Sequence, residues 1–205
     1  MNKFSATVVI GCDLSTTQMA ETLRAILEQF SLRVFVIRLY HKKHIEDFLA
    51  GDIPNCDYTI LCCHGMGERD EDAQIMLKCI HNTTGDDTRK DGWEEFSLVL
   101  KPSDIDRYLQ RPQGTFINLA CGGGREVWAK AFLDAGYKSY IGATRDYVDM
   151  NASVLFIAGF FYHLLMPSCD YTDKSFTSSE AVQEAAAMDK HYDWGTQLFR
   201  YYERF

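Results

Sequence analysis

Two residues could carry chemistry most directly: His64, in Ile60-Leu61-Cys62-Cys63-His64-Gly65, and Cys121, in Ala120-Cys121-Gly122-Gly123-Gly124-Arg125. Each follows a short apolar run, Tyr58 to Cys63 in the first case and Thr115 to Leu119 in the second, so each is expected where a strand ends. A cysteine is a nucleophile only as its thiolate. A position just before a helix N-terminus, with an imidazole in reach, supplies both activation and a proton shuttle. Cys121 has that predicted setting. Small residues around it let a substrate approach closely, and the glycine after the histidine leaves an amide free to face a developing oxyanion. Gly65 is the natural donor, together with the Cys121 amide.

Other readings of the same residues stand beside this one. A cysteine at a strand end is often a buried small hydrophobe, and a histidine is often structural. Gly122-Gly123-Gly124 could cradle a phosphate, although it has neither G-x-G-x-x-G spacing nor the Lys-Ser/Thr of a P-loop. Cys62, Cys63 and His64 are consecutive and alternate faces in a strand, and no C-x-x-C pair accompanies them, so no metal site is expected. His41, His44, His81, His163 and His191 have no partner motif.

The elements that must position these groups follow from hydrophobic period. Ala6 to Gly11 reads as a strand, and Met19, Leu23, Ile26, Leu27 and Phe30 form a helical stripe in a helix placed from Thr17 onward. Val34 to Leu39 is a second strand, His44 to Leu49 a short helix closed by Gly51, and Tyr58 to Cys63 a third strand. The stretch from Met66 to Gly92 is rich in charge and turn residues around Ile75 to Ile80, and reads as an inserted hairpin whose second arm is Phe96 to Leu100. A short helix runs to Leu109 with Ser103 as its cap, followed by strand Thr115 to Leu119 and a helix from Arg125 to Asp134. Strand Tyr140 to Ala143, an apolar helix from Ala152, a capped helix at Thr177-Ser178-Ser179-Glu180 and a last strand within Thr196 to Tyr202 complete the chain.

Alternation of this kind predicts a three-layer α/β/α fold around a mostly parallel six-stranded sheet, with a small inserted hairpin at about residues 66–100 of one domain spanning 1–205. In such a sheet, functional groups gather at the carboxyl edge. Three loops meet that description: Gly11-Cys12-Asp13, Cys63 to Gly67, and Ala120 to Arg125.

Composition narrows the function classes. The 205 residues carry 29 acidic and 21 basic side chains, a formal charge of -8, with no basic stripe, which argues against a nucleic-acid partner. The most apolar stretch, Ala152 to Met166, carries His163 and meets Pro167, so a buried helix and no membrane span are expected. No secretory signal is visible, and seven cysteines in no regular framework fit thiols in a reducing, cytoplasmic setting.

The order of strand, His-Gly, hairpin-bearing stretch, strand and Ala-Cys-x-Gly resembles the clan of caspase-like cysteine proteases, as in Ile60 to Gly65 and Phe116 to Gly123. The later segments Asp134-Ala135-Gly136, Tyr140-Ile141-Gly142-Ala143, Val148-Asp149, Phe160-Phe161-Tyr162 and Ser179 to Ala185 resemble bacterial CHAT domains in particular. The resemblance implies His64 as general acid/base, Cys121 as nucleophile, and the Gly65 and Cys121 amides as oxyanion hole. It implies peptide-bond hydrolysis through an acyl-thioenzyme, with a peptide or protein as substrate and no cofactor. Asp13 and Asp146 lie where relatives place substrate-pocket residues and would favour a basic side chain, while Arg145 argues the other way. The expected function is a regulated bacterial effector protease, such as acts in antiphage defence, controlled by a partner protein, by self-cleavage or by a small nucleotide signal. The alternative is a sensor that binds a nucleotide-type ligand through Gly122 to Gly124, without needing catalysis.

Overall fold

The computed structural model describes residues 4–10, 14–39, 42–52, 54, 56–67, 69–82, 93–110, 112–166, 176–188 and 198–204. In chain order the elements are β1 (Ser5–Ile10), α1 (Leu14–Gln29), β2 (Arg33–Arg38), α2 (Lys42–Leu49), β3 (Tyr58–Cys62) and β4 (His64–Met66). There follow β5 (Gln74–Asn82), β6 (Trp93–Leu100), α3 (Pro102–Tyr108), β7 (Thr115–Asn118) and α4 (Glu126–Ala135). The last are β8 (Ser139–Ala143), α5 (Met150–Leu165), α6 (Ser178–Ala187) and β9 (Phe199–Glu203).

Six strands form the main sheet in the order β2-β1-β3-β7-β8-β9. The first five run parallel, and β9 closes the edge antiparallel to β8. Because successive strand residues face opposite ways, Val8 and Ile60 enter one core while Val9 and Leu61 enter the other. The first core gathers Leu23 of α1, Phe156 and Phe160 of α5, and Val182 of α6. The second gathers Phe48 of α2, Ile105 of α3, and Trp128 and Phe132 of α4. Both faces are therefore dry, which is why β3, β7 and β8 are buried at every position. This is the three-layer α/β/α arrangement with a mostly parallel six-stranded sheet that the alternating pattern predicts.

Aromatic pairs tie helices to the sheet. Phe116 of β7 stacks on Phe132 of α4 with ring centres 4.0 Å apart, and Phe156 of α5 stacks on Phe199 of β9 at 3.9 Å. Thr177 caps α6: its hydroxyl accepts the Glu180 N–H, while Glu180 accepts the Thr177 N–H at 2.8 Å. For α3 the cap residue is Lys101, whose N–H donates to Asp104 at 2.8 Å, so Ser103 lies inside the helix rather than before it.

The inserted segment departs from a simple hairpin. It is a three-stranded antiparallel sheet, β4-β5-β6, and its first strand begins at His64. The histidine is therefore carried on a short strand paired to Met76, not on a loop. Among the described residues, no helix is long and apolar enough to cross a membrane.

Candidate functional site at the carboxyl edge

Strands β3 and β7 are neighbours, so the segments that leave them emerge side by side. The pairing runs one step past β7, where Leu119 N–H donates to Leu61 O at 3.1 Å. The chain then turns, because the buried Asn118 side chain accepts the Ala120 N–H at 3.0 Å. This turn brings Cys121 against the His64-Gly65 segment. A Cβ built on Gly65 would fall 1.8 Å from the Cys121 carbonyl oxygen, a separation only a glycine at 65 allows. The two residue pairs singled out from the sequence thus share one place in the fold, with Gly65 and Cys121 in backbone contact.

The glycine run that follows is a packed turn. Gly122 adopts φ +67, in the left-handed region. Its N–H donates to Arg145 O, that of Gly123 to Ala120 O at 2.9 Å, that of Gly124 to Ala143 O, and that of Arg125 to Gly122 O at 3.3 Å. The carbonyls are held as well: Tyr140 Oη donates to Gly123 O, and Tyr202 Oη to Gly124 O at 2.6 Å. Asn118 Nδ2 donates to Tyr140 Oη at 2.9 Å, and burial pushes the Tyr140 phenol well above its ordinary value, so the hydroxyl keeps its proton. A phosphate cradle needs several free N–H groups aimed at the ligand. Here the N–H groups of Gly122, Gly123 and Gly124 are already donated to protein carbonyls. The glycines serve close packing, since a Cβ at Gly124 would lie 2.4 Å from Gly142 O and one at Gly123 would lie 2.7 Å from Asn118 Cγ. Nucleotide binding through Gly122 to Gly124 is withdrawn on this ground.

Cys56, Cys62, Cys63 and Cys121 are free thiols, and they divide sharply. Cys56, Cys62 and Cys63 are buried, and burial pushes the Cys62 thiol far up. Cys121 is partly exposed, and its Sγ accepts the Val148 N–H at 3.3 Å. Val148 stands on the segment between β8 and α5, close to Asp149, which caps α5 by accepting from Asn151 N at 2.8 Å. This contact ties the sulfur to the segment between β8 and α5.

Of the three substrate-pocket candidates, Asp13 lies outside the described residues, as do Gly11 and Cys12. Asp146 stands where expected, beyond β8, but its carboxylate is paired to Arg125. A basic ligand group would have to share that carboxylate with Arg125. Arg145 accepts the Gly122 N–H at its backbone carbonyl, next to the Asp146–Arg125 pair. Sequence reasoning missed Val148, Asn118 and Arg125. A polar Asn inside an otherwise apolar strand was the one signal available for Asn118, since buried amides are held where they satisfy backbone groups.

Large apolar side chains are exposed at the same edge: Leu14 at the start of α1 (85%), Met66 at the end of β4 (52%) and Tyr147 beyond β8 (79%).

No family model and no curated protein matches the chain. Solved structures similar to it include a Streptococcus pneumoniae TIGR4 flavodoxin (14% identity, 77% of this chain and 94% of that one, TM-score 0.39). A Megasphaera elsdenii flavodoxin shares 16% identity over 67% of this chain and 82% of its own, at a TM-score of 0.35. A short-chain flavodoxin associated with a PDU bacterial microcompartment shares 11% over 69% and 79%, at 0.32. These likenesses are slight and assign no ligand to this chain. None of the three is a caspase-like or CHAT protease, and the identification with that clan falls, together with the endopeptidase activity, the antiphage role and the caspase-fold sensor. The physical reason is that the glycines of His-Gly and Ala-Cys-Gly-Gly here answer to close backbone packing, which short strand-end motifs do not distinguish from catalysis. Gly65 is set by contact with Cys121, and Gly122 to Gly124 by contact with Asn118, Gly142 and Arg125.

Proposed function

We propose that the carboxyl edge of the main sheet is a thiol site at which Cys121 adds to the electrophilic carbon of a carbonyl-bearing ligand. The observation that carries the reading is the contrast among cysteines: one partly exposed sulfur, with an N–H donated to it, against three buried thiols. In the addition, a C–S bond forms and the carbonyl π bond breaks, giving a hemithioacetal. The thiol proton ends on the ligand oxygen, with His64 as its carrier and the Gly65 and Cys121 amides as donors to that oxygen. No leaving group, oxidant or reductant is required. Leu14, Met66 and Tyr147 around the edge favour a ligand with an apolar body. Free Cys56, Cys62, Cys63 and Cys121 suit a reducing, cytoplasmic compartment.

The test is labelling with iodoacetamide followed by peptide mass analysis, on wild type, Cys121→Ser and His64→Ala. Selective labelling of Cys121, blocked by prior incubation with an apolar aldehyde and reversed on dilution, supports the reading. Labelling spread evenly over the thiols, or unaffected by the aldehyde, overturns it.

A second reading concerns the crevice between β1 and β3, where the strand order reverses. In open sheets ordered like β2-β1-β3-β7-β8, ligands bind beyond the carboxyl ends of the strands at that switch point, and flavin mononucleotide is one ligand held there. Ser15 and Thr17 in the first turn of α1 are hydroxyls of the kind that suit a phosphate there. Visible flavin absorbance that persists in Cys121→Ser after incubation with flavin mononucleotide and desalting would favour this second site.

A further inference from the structure

Three loops meet at the thiol site, and one side chain touches all of them. Arg125 Nη1 donates to Arg69 O at 2.9 Å, on the segment that follows β4 and therefore His64. Its Nη2 pairs with the Asp146 carboxylate, two residues before Val148, whose N–H reaches the Cys121 sulfur. Its Nε lies over Gly122, next to Cys121, where a built Cβ would come within 3.2 Å. The Arg125 side chain is only 11% exposed, whereas Asp146 is 65% exposed. A guanidinium withdrawn from water to this extent must be held by good partners, because desolvation and lost side-chain freedom both oppose its placement.

We propose that Arg125 is the positioning residue of the thiol site: it fixes the segment carrying Val148 and the segment following His64 relative to Cys121, and so sets how the sulfur is presented. The inference rests on the thiol-site reading and adds the means by which the site is held. Arg125 itself touches no reacting atom. Its planar fork serves two acceptors at once, a carbonyl on one side and a carboxylate on the other. A lysine presents a single ammonium and cannot span both, so Arg125→Lys keeps the charge and loses the clamp. Asp146→Asn leaves the Arg69 contact and removes only the ionic partner. The backbone bond from Gly122 N–H to Arg145 O involves no atom that these substitutions remove, so the loop beyond β8 is expected to loosen without detaching.

The experiment compares wild type, Arg125→Lys, Arg125→Met and Asp146→Asn, each shown to be folded by circular dichroism and an unchanged cooperative melt. Cys121 alkylation is timed with neutral iodoacetamide and with anionic iodoacetate, which separates geometry from local charge. The expected result is a loss of about tenfold in the iodoacetamide rate for both Arg125 variants, corresponding to about 1.4 kcal/mol. A smaller loss is expected for Asp146→Asn. Arg125→Lys should keep the wild-type ratio of iodoacetate to iodoacetamide, and Arg125→Met should lower it. If all variants label Cys121 at the wild-type rate while wild type remains selective for Cys121, the positioning role is overturned and the thiol site stands. If wild type shows no selectivity, the thiol site itself fails. Full rescue by Arg125→Lys also overturns the proposal, because it would assign the effect to charge alone. Should Arg125→Met not fold, Arg125→Lys and Asp146→Asn carry the comparison.

Discussion

The backbone of Gly65 lies directly on that of Cys121, so close that a Cβ at position 65 would stand 1.8 Å from the Cys121 carbonyl oxygen and 2.9 Å from its nitrogen. The contact joins the inserted sheet to the turn after β7. Both partners are backbone, so neither can swing aside. Gly65→Ala is expected to cost about 1–3 kcal/mol, the usual range for forcing extra volume into a packed site. It should also slow Cys121 labelling. The check is the denaturant midpoint of the variant; a midpoint equal to that of wild type would contradict the close contact.

Tyr140 sits at the centre of the polar support beneath the turn, accepting from Asn118 and donating to Gly123 O. Removing its hydroxyl leaves a buried amide and a buried carbonyl each short of a partner. Tyr140→Phe should destabilise the fold by about 1–3 kcal/mol. The Tyr202 hydroxyl, which donates to Gly124 O, belongs to a half-buried side chain, and water can replace it there, so Tyr202→Phe should cost less. Chemical denaturation of the two variants side by side measures the difference; equal losses would show that burial does not govern these bonds.

Burial pushes the Tyr58 and Tyr137 phenols from an ordinary 10 up to about 12. Their neutral forms are thus favoured in the folded state. The unfolded chain ionises these groups first as pH rises, so the stability they contribute is complete below about pH 10 and is lost progressively toward pH 12. The loss is about 3 kcal/mol for a shift of this size. Tyr58→Phe should flatten the alkaline decline while leaving neutral-pH stability nearly unchanged. Denaturant melts at neutral pH and near pH 11 test this, and an alkaline decline as steep in the variant as in wild type would count against it.

The layers, the strand positions and the location of His64 and Cys121 at adjoining strand ends were legible because dry strands and striped helices leave period signals. Val8 and Val9 face opposite cores, and Leu23 and Leu27 share one face of α1. The Thr177 to Glu180 box was legible because its two bonds need that spacing. What failed to show were contacts between segments distant in sequence. Nothing around Arg125 announces that its guanidinium reaches Arg69 and Asp146, and nothing around Val148 announces a sulfur partner. The glycine run misled for a related reason: its composition suits a ligand loop and a tight packing turn equally. Only the donors' destinations at Arg145, Ala120 and Ala143 decide between them. The same ambiguity made short strand-end motifs look like those of a protease clan.

The central claim is that Cys121, in contrast to the buried Cys56, Cys62 and Cys63, presents a sulfur ready to react. Its most direct measurement is the alkylation rate of each cysteine in the native protein at neutral pH, read peptide by peptide, with a denatured sample as the reference for unprotected thiols. The account expects Cys121 to react faster in the folded protein than in the denatured chain, while Cys56, Cys62 and Cys63 react only after unfolding. Cys121 reacting more slowly when folded, or no faster than the buried three, would contradict it.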